Sequence, residues 1–276
     1  MNIGIIGQGF VGNAVYKKFK NFFNVLTYDK KLSLCNSTLD EIKENCKIIF
    51  VCVPTPMNQD GSCDFSIVEN LINKLSDKKD LIVINKSTIV PGSTDYFNLK
   101  FKKIQVVFNP EFLTERNAVK DYENQDRIII GGPRPATTII KNIFSKVFPK
   151  SKIIKTGSTH AEMIKYFTNC FLATKVSFAN EMFQLCEKLG LDYDKVVEYS
   201  ITDKRIGITH LNVPGHDGDL GFGGHCLPKD LEAILNLTEK IGTVNNVLKS
   251  VKKTNNKIRK NRDWEKMFGR AVNNKL

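Results

Sequence analysis

The sequence has no uninterrupted apolar stretch approaching the ~18 residues that a membrane-spanning helix needs. It also lacks a basic-then-apolar leader. Met1–Ile6 already reads as a strand, so a secretory signal is not expected. Its seven cysteines show no paired spacing, which argues against a disulfide framework and for a reducing cytoplasm. No internal repeat or low-complexity segment is evident. Acids are in short supply, 29 against 41 lysines and arginines, giving a formal net charge of +12. The deficit is sharpest between Lys249 and Arg262, where Lys249, Lys252, Lys253, Lys257, Arg259, Lys260 and Arg262 have no acid among them. That run follows a helical pattern and reads first as a solvated helix face. A phosphate-bearing small ligand is the alternative, and nucleic acid is not expected.

What is present is an ordinary globular balance, 41% hydrophobic and 25% charged over 276 residues. Short apolar runs alternate with amphipathic stretches through the first half. Strands are expected at Ile3–Ile6, Val25–Tyr28, Ile48–Val53, Leu81–Asn85, Gln105–Phe108, Arg127–Ile130 and Lys152–Ile154. Helices are expected at Phe10–Asn21, Leu39–Asn45, Phe65–Leu75, Thr94–Lys100 and Pro135–Val147, with Ser37 and Asp64 as N-caps. This rhythm predicts an α/β fold, a doubly wound Rossmann-type parallel sheet with helices on both faces. The rhythm stops near Thr156. One long helix is expected from Thr159 to Leu189, with Ile164, Phe167, Phe171 and Phe178 on one stripe. Two or three more helices follow, interrupted by a glycine-rich loop at Val213–Gly224. The expected division is residues 1–158 as the dinucleotide-binding domain and 159–276 as an all-α domain.

Gly7-Gln8-Gly9-Phe10-Val11-Gly12 fits G-x-G-x-x-G between a strand and a helix. Gly7 permits the tight turn, Gly9 lets a pyrophosphate approach the backbone, and Gly12 lets the helix pack against the strand. The helix N-terminus offers N–H groups and a partial positive charge to phosphates. Asp29 closes the second strand, where a carboxylate binds ribose hydroxyls and repels a 2′-phosphate, favouring NAD over NADP. The neighbouring Lys30 and Lys31 would soften that discrimination.

Downstream lies Gly221-Phe222-Gly223-Gly224-His225-Cys226-Leu227-Pro228-Lys229-Asp230. Pro228 suits the first turn of a helix. Cys226 is therefore expected just before that helix, where the helix dipole and Lys229 both favour thiolate, the nucleophilic form. Cys46, Cys52, Cys170 and Cys186 read as small buried hydrophobes. Cys35 and Cys63 fall in loops and receive no role.

In order along the chain stand Gly7–Gly12, Val53-Pro54-Thr55-Pro56, Lys86-Ser87-Thr88 and Asn109-Pro110-Glu111-Phe112-Leu113-Thr114-Glu115. Then come Ala161-Glu162-Met163-Ile164-Lys165-Tyr166 with Asn169, Asn180-Glu181, Arg205-Ile206-Gly207 and Gly223–Asp230. With this ordered set the chain resembles the UDP-glucose/GDP-mannose dehydrogenase family. The resemblance implies a four-electron oxidation of a nucleotide sugar, UDP-glucose first among them, to the acid with two NAD, through a thiohemiacetal and a thioester on Cys226. It implies that Lys165 and Asn169, four apart on a helix, hold the developing oxyanion. Glu111 would be the acid/base acting through water, Thr88 and Glu115 would position that water and the nicotinamide, and Asp230 would orient water with Lys165. Cofactor contacts would come from Gly7, Gly9, Phe10, Val11, Gly12, Asp29, Lys30, Pro54, Thr55, Thr88, Glu115 and Lys229. Substrate contacts would come from Glu111, Phe112, Leu113, Lys165, Asn169 and Gly223, and from Arg205 across a homodimer. Each residue has a plainer alternative. Lys165 could be a solvated helix lysine, Glu111, Glu115 and Asp230 helix-start acids, Arg205 a surface charge, and Thr88 a cap.

Typical members of that family run on into a third domain for the uridine nucleotide, and no strand–helix rhythm follows Asp230 here. The loop Val213–Leu220 could cover part of the substrate, and Lys252 and Lys253 could reach its phosphates. His216 with Asp217 and Asp219 makes a polar turn rather than a metal site, and no metal is expected. Two other functions remain open. One is a two-electron dehydrogenase of the 6-phosphogluconate or 3-hydroxyisobutyrate type, which does not need Cys226. The other is a non-catalytic protein that binds NAD or nucleic acid.

Overall fold

The computed structural model describes residues 1–273, so the last three positions of the 159–276 span lie outside the described residues. The chain forms two compact units. The first comprises residues 1–55 and 65–165, and the second 56–64 and 166 onward.

The first unit contains β1 (Asn2–Ile6), α1 (Phe10–Phe19), β2 (Asn24–Tyr28), α2 (Leu39–Asn45), β3 (Ile48–Val51), α3 (Ser66–Leu75), β4 (Leu81–Asn85) and α4 (Ser93–Lys100). It continues with β5 (Ile104–Phe108), α5 (Ala118–Glu123), β6 (Arg127–Gly131), α6 (Ala136–Val147), β7 (Lys152–Thr156) and the first turns of α7 (Ser158–Leu189). The strands form one sheet in the order β2-β1-β3-β4-β5-β6-β7. Every neighbouring pair is parallel except β5 and β6, which run antiparallel and meet at Phe108 and Gly131. The expected Rossmann-type parallel sheet is present, with this one antiparallel junction.

Alternation along the strands builds two cores. Ile3, Ile5, Phe50, Ile82, Ile84 and Val107 face one side, against Val15 and Phe19 of α1 and Ile140, Phe144 and Val147 of α6. Ile6, Ile49, Val51, Leu81, Val83 and Val106 face the other, against Ile42, Val68, Ile72 and Phe97 of α2–α4. A parallel sheet covered on both faces needs apolar side chains of both parities, which is why these strands read as unbroken hydrophobic runs.

The helix starts correct two expected caps. The α2 cap is Thr38, not Ser37; its hydroxyl accepts from the Glu41 N–H at 3.1 Å while Glu41 returns a bond to the Thr38 N–H at 2.8 Å. The N-cap position of α3 falls on Phe65, not Asp64. The start of α4 is held instead by a remote acid. Buried Glu162 accepts from the N–H groups of Gly92 (2.6 Å) and Thr94 (2.8 Å) and from the Thr94 hydroxyl (2.6 Å).

The second unit contains the rest of α7, then α8 (Tyr193–Ser200), α9 (Cys226–Ile241) and α10 (Asn246–Ile258). Part of its core joins Ala179 and Cys186 of α7 to Tyr193, Leu211 and Val213. Segment 56–64 belongs to this unit, where Met57 forms a parallel bridge with Val272. The Met57 N–H donates to Ala271 O at 2.8 Å, and the Asn273 N–H donates to Met57 O at 3.0 Å. The α7 stripe is divided. Ile164 packs on the first unit's core, whereas Phe167, Phe171 and Phe178 are 65%, 55% and 58% exposed. No described helix is long and apolar enough to cross a membrane.

Candidate active site

In the first unit the chain runs out from β1 to β2 and crosses back to β3. The crevice outside the carboxyl ends of β1 and β3 is where open α/β sheets bind ligands. The glycine turn lies there. Gly7 has φ +91°, and its N–H donates to Tyr28 O at 2.8 Å. A Cβ on Gly12 would lie 1.8 Å from Gly7 O, so only glycine lets α1 approach the turn, whereas a Cβ on Gly9 meets nothing within 4 Å. One glycine is therefore fixed by packing, and the other leaves room for a ligand. Phe10 and Val11 open α1, and no side chain caps its N-terminal N–H groups from Gly9. The Asp29 carboxylate closes the turn, accepting the N–H groups of Gln8 (2.6 Å) and Lys31 (2.8 Å), and Lys30 is exposed beside it. Cys35, given no role by the sequence, braces Asp29. Its sulfur accepts the Asp29 N–H at 3.0 Å and donates to Asp29 O at 3.1 Å. The buried Gln8 amide nitrogen has no partner, an orphan donor at the place where a dinucleotide would supply acceptors. These residues fit NAD.

Further along the same sheet edge, Thr55 and Thr88 are buried and Pro54 is exposed. After β5, Glu111 is buried, and Lys165 Nζ donates to both its backbone O (2.6 Å) and its Oε1 (3.0 Å). Lys165 is 3% exposed, so it is not the solvated helix lysine that the sequence left open. Its ammonium also lies 5.4 Å from the centre of the Phe112 ring. Burial pushes the Glu111 carboxyl up, but Lys165, the Leu113 N–H and Lys86 outweigh it and hold the group below the ordinary carboxylate value. Glu111 precedes no helix turn, so the helix-start alternative does not apply to it. Glu115 does begin a short 3₁₀ turn and is exposed.

Lys86 is a residue the sequence named but left without a role. It is 3% exposed and donates to Asn109 Oδ1 at 2.8 Å. Burial pushes its ammonium down to about 8, with Cys52 and Glu111 opposing. The signal the sequence offers is its place directly after the mostly apolar Leu81–Asn85 strand; its burial is settled by the tertiary structure.

The second unit holds a matching network. Cys226 is the first residue of α9 rather than the residue before it, and no side chain caps α9 from His225. The Cys226 sulfur lies 3.4 Å from His225 Nε2. Lys229 Nζ donates to Asp230 Oδ1 at 2.5 Å, and the Asn169 amide donates to Asp230 Oδ2, also at 2.5 Å. Burial pushes Lys229 down, yet the charges of Asp230, Cys63 and Cys226 raise it above the ordinary lysine value. Both thiols therefore lie within the field of one ammonium. Along α7, Lys165 and Asn169 are one turn apart and share a helix face. Gly223 is part-buried just ahead of Cys226.

Arg205 is different: its side chain is 90% exposed and ion-paired to Asp203 at 2.5 Å. The basic run is also not a plain solvated face. Lys252 pairs with Glu232 at 2.7 Å, Lys249 with Glu239 at 3.1 Å and Arg262 with Glu265 at 2.8 Å. Arg259 is 1% exposed among acids, and Asp217 and Asp219 of the glycine-rich loop are two of them. Among the described residues no group of three or more His, Cys, Asp or Glu side chains could hold a metal ion.

The NAD binding domain of the UDP-glucose/GDP-mannose dehydrogenase family matches residues 17–150, and the family's central domain matches residues 159–257. The chain belongs to this family. Among relatives in the family, the UDP-glucose 6-dehydrogenase of Rickettsia prowazekii is 36% identical over 82% of this chain and 52% of its own length. That of Rickettsia typhi is 36% identical over 92% of this chain and 67% of its own. A UDP-glucose dehydrogenase from Pyrobaculum islandicum superimposes with a TM-score of 0.83 at 28% identity, covering 93% of this chain and 68% of that one. The chain thus spans about half to two thirds of the length of these curated family members.

Proposed function

We propose that the chain oxidises the C6 alcohol of a nucleotide sugar, UDP-glucose first, to the carboxylate, with Cys226 as nucleophile. The observation that carries this reading is the thiol on the first residue of α9, beside Lys229 and its buried Asp230–Asn169 network. NAD, held by the glycine turn, Asp29, Lys30, Pro54, Thr55, Thr88, Glu115 and Lys229, would accept the hydride in both oxidations. The protein's own task is the carbon between them. The aldehyde C–H cannot leave as hydride until an addition makes that carbon tetrahedral. The Cys226 sulfur supplies an electron pair for the new C–S bond, and the carbonyl π pair moves to oxygen. The Lys165 ammonium and the Asn169 amide would meet that oxyanion. After the second oxidation, water adds to the acyl carbon, the C–S bond breaks, and acid and thiol are released. Glu111, ionised by Lys165 and Lys86, would take the water's proton, with Thr88 and Asp230 orienting the water. Phe112, Leu113 and Gly223 would line the sugar.

A panel of nucleotide sugars tests this. We expect two NADH per sugar from the parent and loss of acid product in Cys226→Ser. One NADH per substrate, or an unchanged acid yield in the variant, overturns the reading. The first result would favour a two-electron hydroxy-acid dehydrogenase. Salt-sensitive nucleic-acid binding with no NADH at all would favour a binding protein.

We also propose that a second copy of the chain covers Phe167, Phe171 and Phe178. Exposed aromatics grouped on one helix mark an interface more often than a solvated face. Arg205, exposed on the same unit, would then serve the partner's substrate. Light scattering should give a dimer mass at micromolar concentration, and a monomer mass sinks the idea. Seven free thiols suit a reducing compartment such as the cytoplasm.

A further inference from the structure

The loop ahead of Cys226 is held atom by atom. Asn180 accepts the Gly221 N–H at 3.0 Å. Asn255 accepts the Phe222 N–H at 2.8 Å and donates to Phe222 O at 3.0 Å. Both Asp263 oxygens accept the Gly224 N–H, each at 3.1 Å. Asp263 is itself fixed by Arg259, whose guanidinium lies 3.5 Å away. The same guanidinium bonds Asp217 at 2.6 Å and lies 3.6 Å from Asp219, so it also holds the middle of the glycine-rich loop. The packing is tight. A Cβ on Gly223 would come within 2.4 Å of both Arg259 and Asp263.

Asn180 and Asn255 fall within the match to the family's central domain, which ends at residue 257, whereas Arg259 and Asp263 lie beyond it. We propose that Asp263, anchored by Arg259, is a positioning residue for the reaction. By holding the Gly224 N–H it fixes where Cys226 enters α9, and so keeps the sulfur at the helix N-terminus and near Lys229. This rests on the reading of Cys226 as nucleophile. The physical basis is that a thiol's reactivity depends on the positive potential it sits in, which falls off within the first turn of a helix.

The test is the rate at which iodoacetamide modifies Cys226, followed by peptide mass, in variants whose melting is recorded alongside. Asp263→Ala should slow modification at pH 7 by about tenfold and lower kcat more than the KM for the sugar. Asp263→Asn keeps an acceptor for Gly224 and should restore the rate to within about twofold, since the acceptor rather than the charge is what positions the loop. If the alanine variant does not fold, Asp263→Glu carries the same expectation of slowing, because the extra methylene moves the acceptor. A parent-like rate in the folded alanine or the glutamate variant, or an asparagine variant as slow as alanine, overturns the proposal. The alkylation rate does not require turnover. A Cys226→Ser enzyme that still makes acid would therefore defeat the catalytic reading while leaving this result separately readable.

Discussion

Lys165→Met should destabilise the protein by about 3–5 kcal/mol and, on the proposed reaction, abolish acid production through loss of the cation proposed to meet the oxyanion. The reason is the partner left behind. Glu111 is buried, and without the Lys165 ammonium its remaining partners among the described residues are the Leu113 N–H and the more distant field of Lys86. An unpaired carboxylate in that position costs more than the pair contributes when intact. The sign of the pH dependence follows. In the parent, Glu111 is held below its ordinary value, so its contribution is present near neutrality and is lost only as pH falls through the lowered folded-state value. In the variant the carboxyl must rise, so protonation relieves it. The stability deficit should be widest at pH 7 to 8 and narrow toward pH 5. Thermal melts across that range read it directly, and a drop on the order of 10 °C is expected at pH 7. Equal melting of parent and variant at pH 7 would disprove the argument. Adding Glu111→Gln should recover most of the stability but none of the turnover.

Lys229→Met is the corresponding cut in the second unit. Asp230 is 1% exposed and would keep the Asn169 amide as its side-chain partner among the described residues, so a loss of about 3–5 kcal/mol is again expected. Here the chemical readout is the thiol. Lys229 feels the charge of both Cys226 and Cys63, and the effect is reciprocal. Removing the ammonium should slow iodoacetamide modification of Cys226 at pH 7 by about tenfold. Asp230→Asn in the same background should restore stability without restoring reactivity. A Lys229→Met protein that alkylates at the parent rate would show that Lys229 does not activate the sulfur.

Much of this molecule was legible in its residues. The strands announced themselves because a sheet covered on both faces must be apolar on both parities, as in Ile48–Val51 and Leu81–Asn85. The glycine turn was legible because Gly7 and Gly12 answer local steric demands that no other residue meets. Cys226 stood out because Pro228 marks a helix start. Elements decided by a single competing neighbour were missed. Thr38 displaced Ser37 as a cap because Glu41 stands three residues after it and completes the reciprocal box. The short α5 at Ala118–Glu123 has too few turns to show a period.

Local chemistry in the sequence determined where the phosphate-binding turn and the helix-borne thiol would be. Backbone sterics and helix ends act over a few residues, and a string of letters records them. Only the tertiary structure decided which charges are buried and with whom. Lys165 and Lys229 look alike as letters to the exposed Lys253, and Arg259 to Arg205. What separates them is desolvation, which depends on residues such as Glu111, Asp230 and Asp217. Glu111 stands 54 positions from Lys165 and Asp217 stands 42 from Arg259, separations that no local pattern encodes.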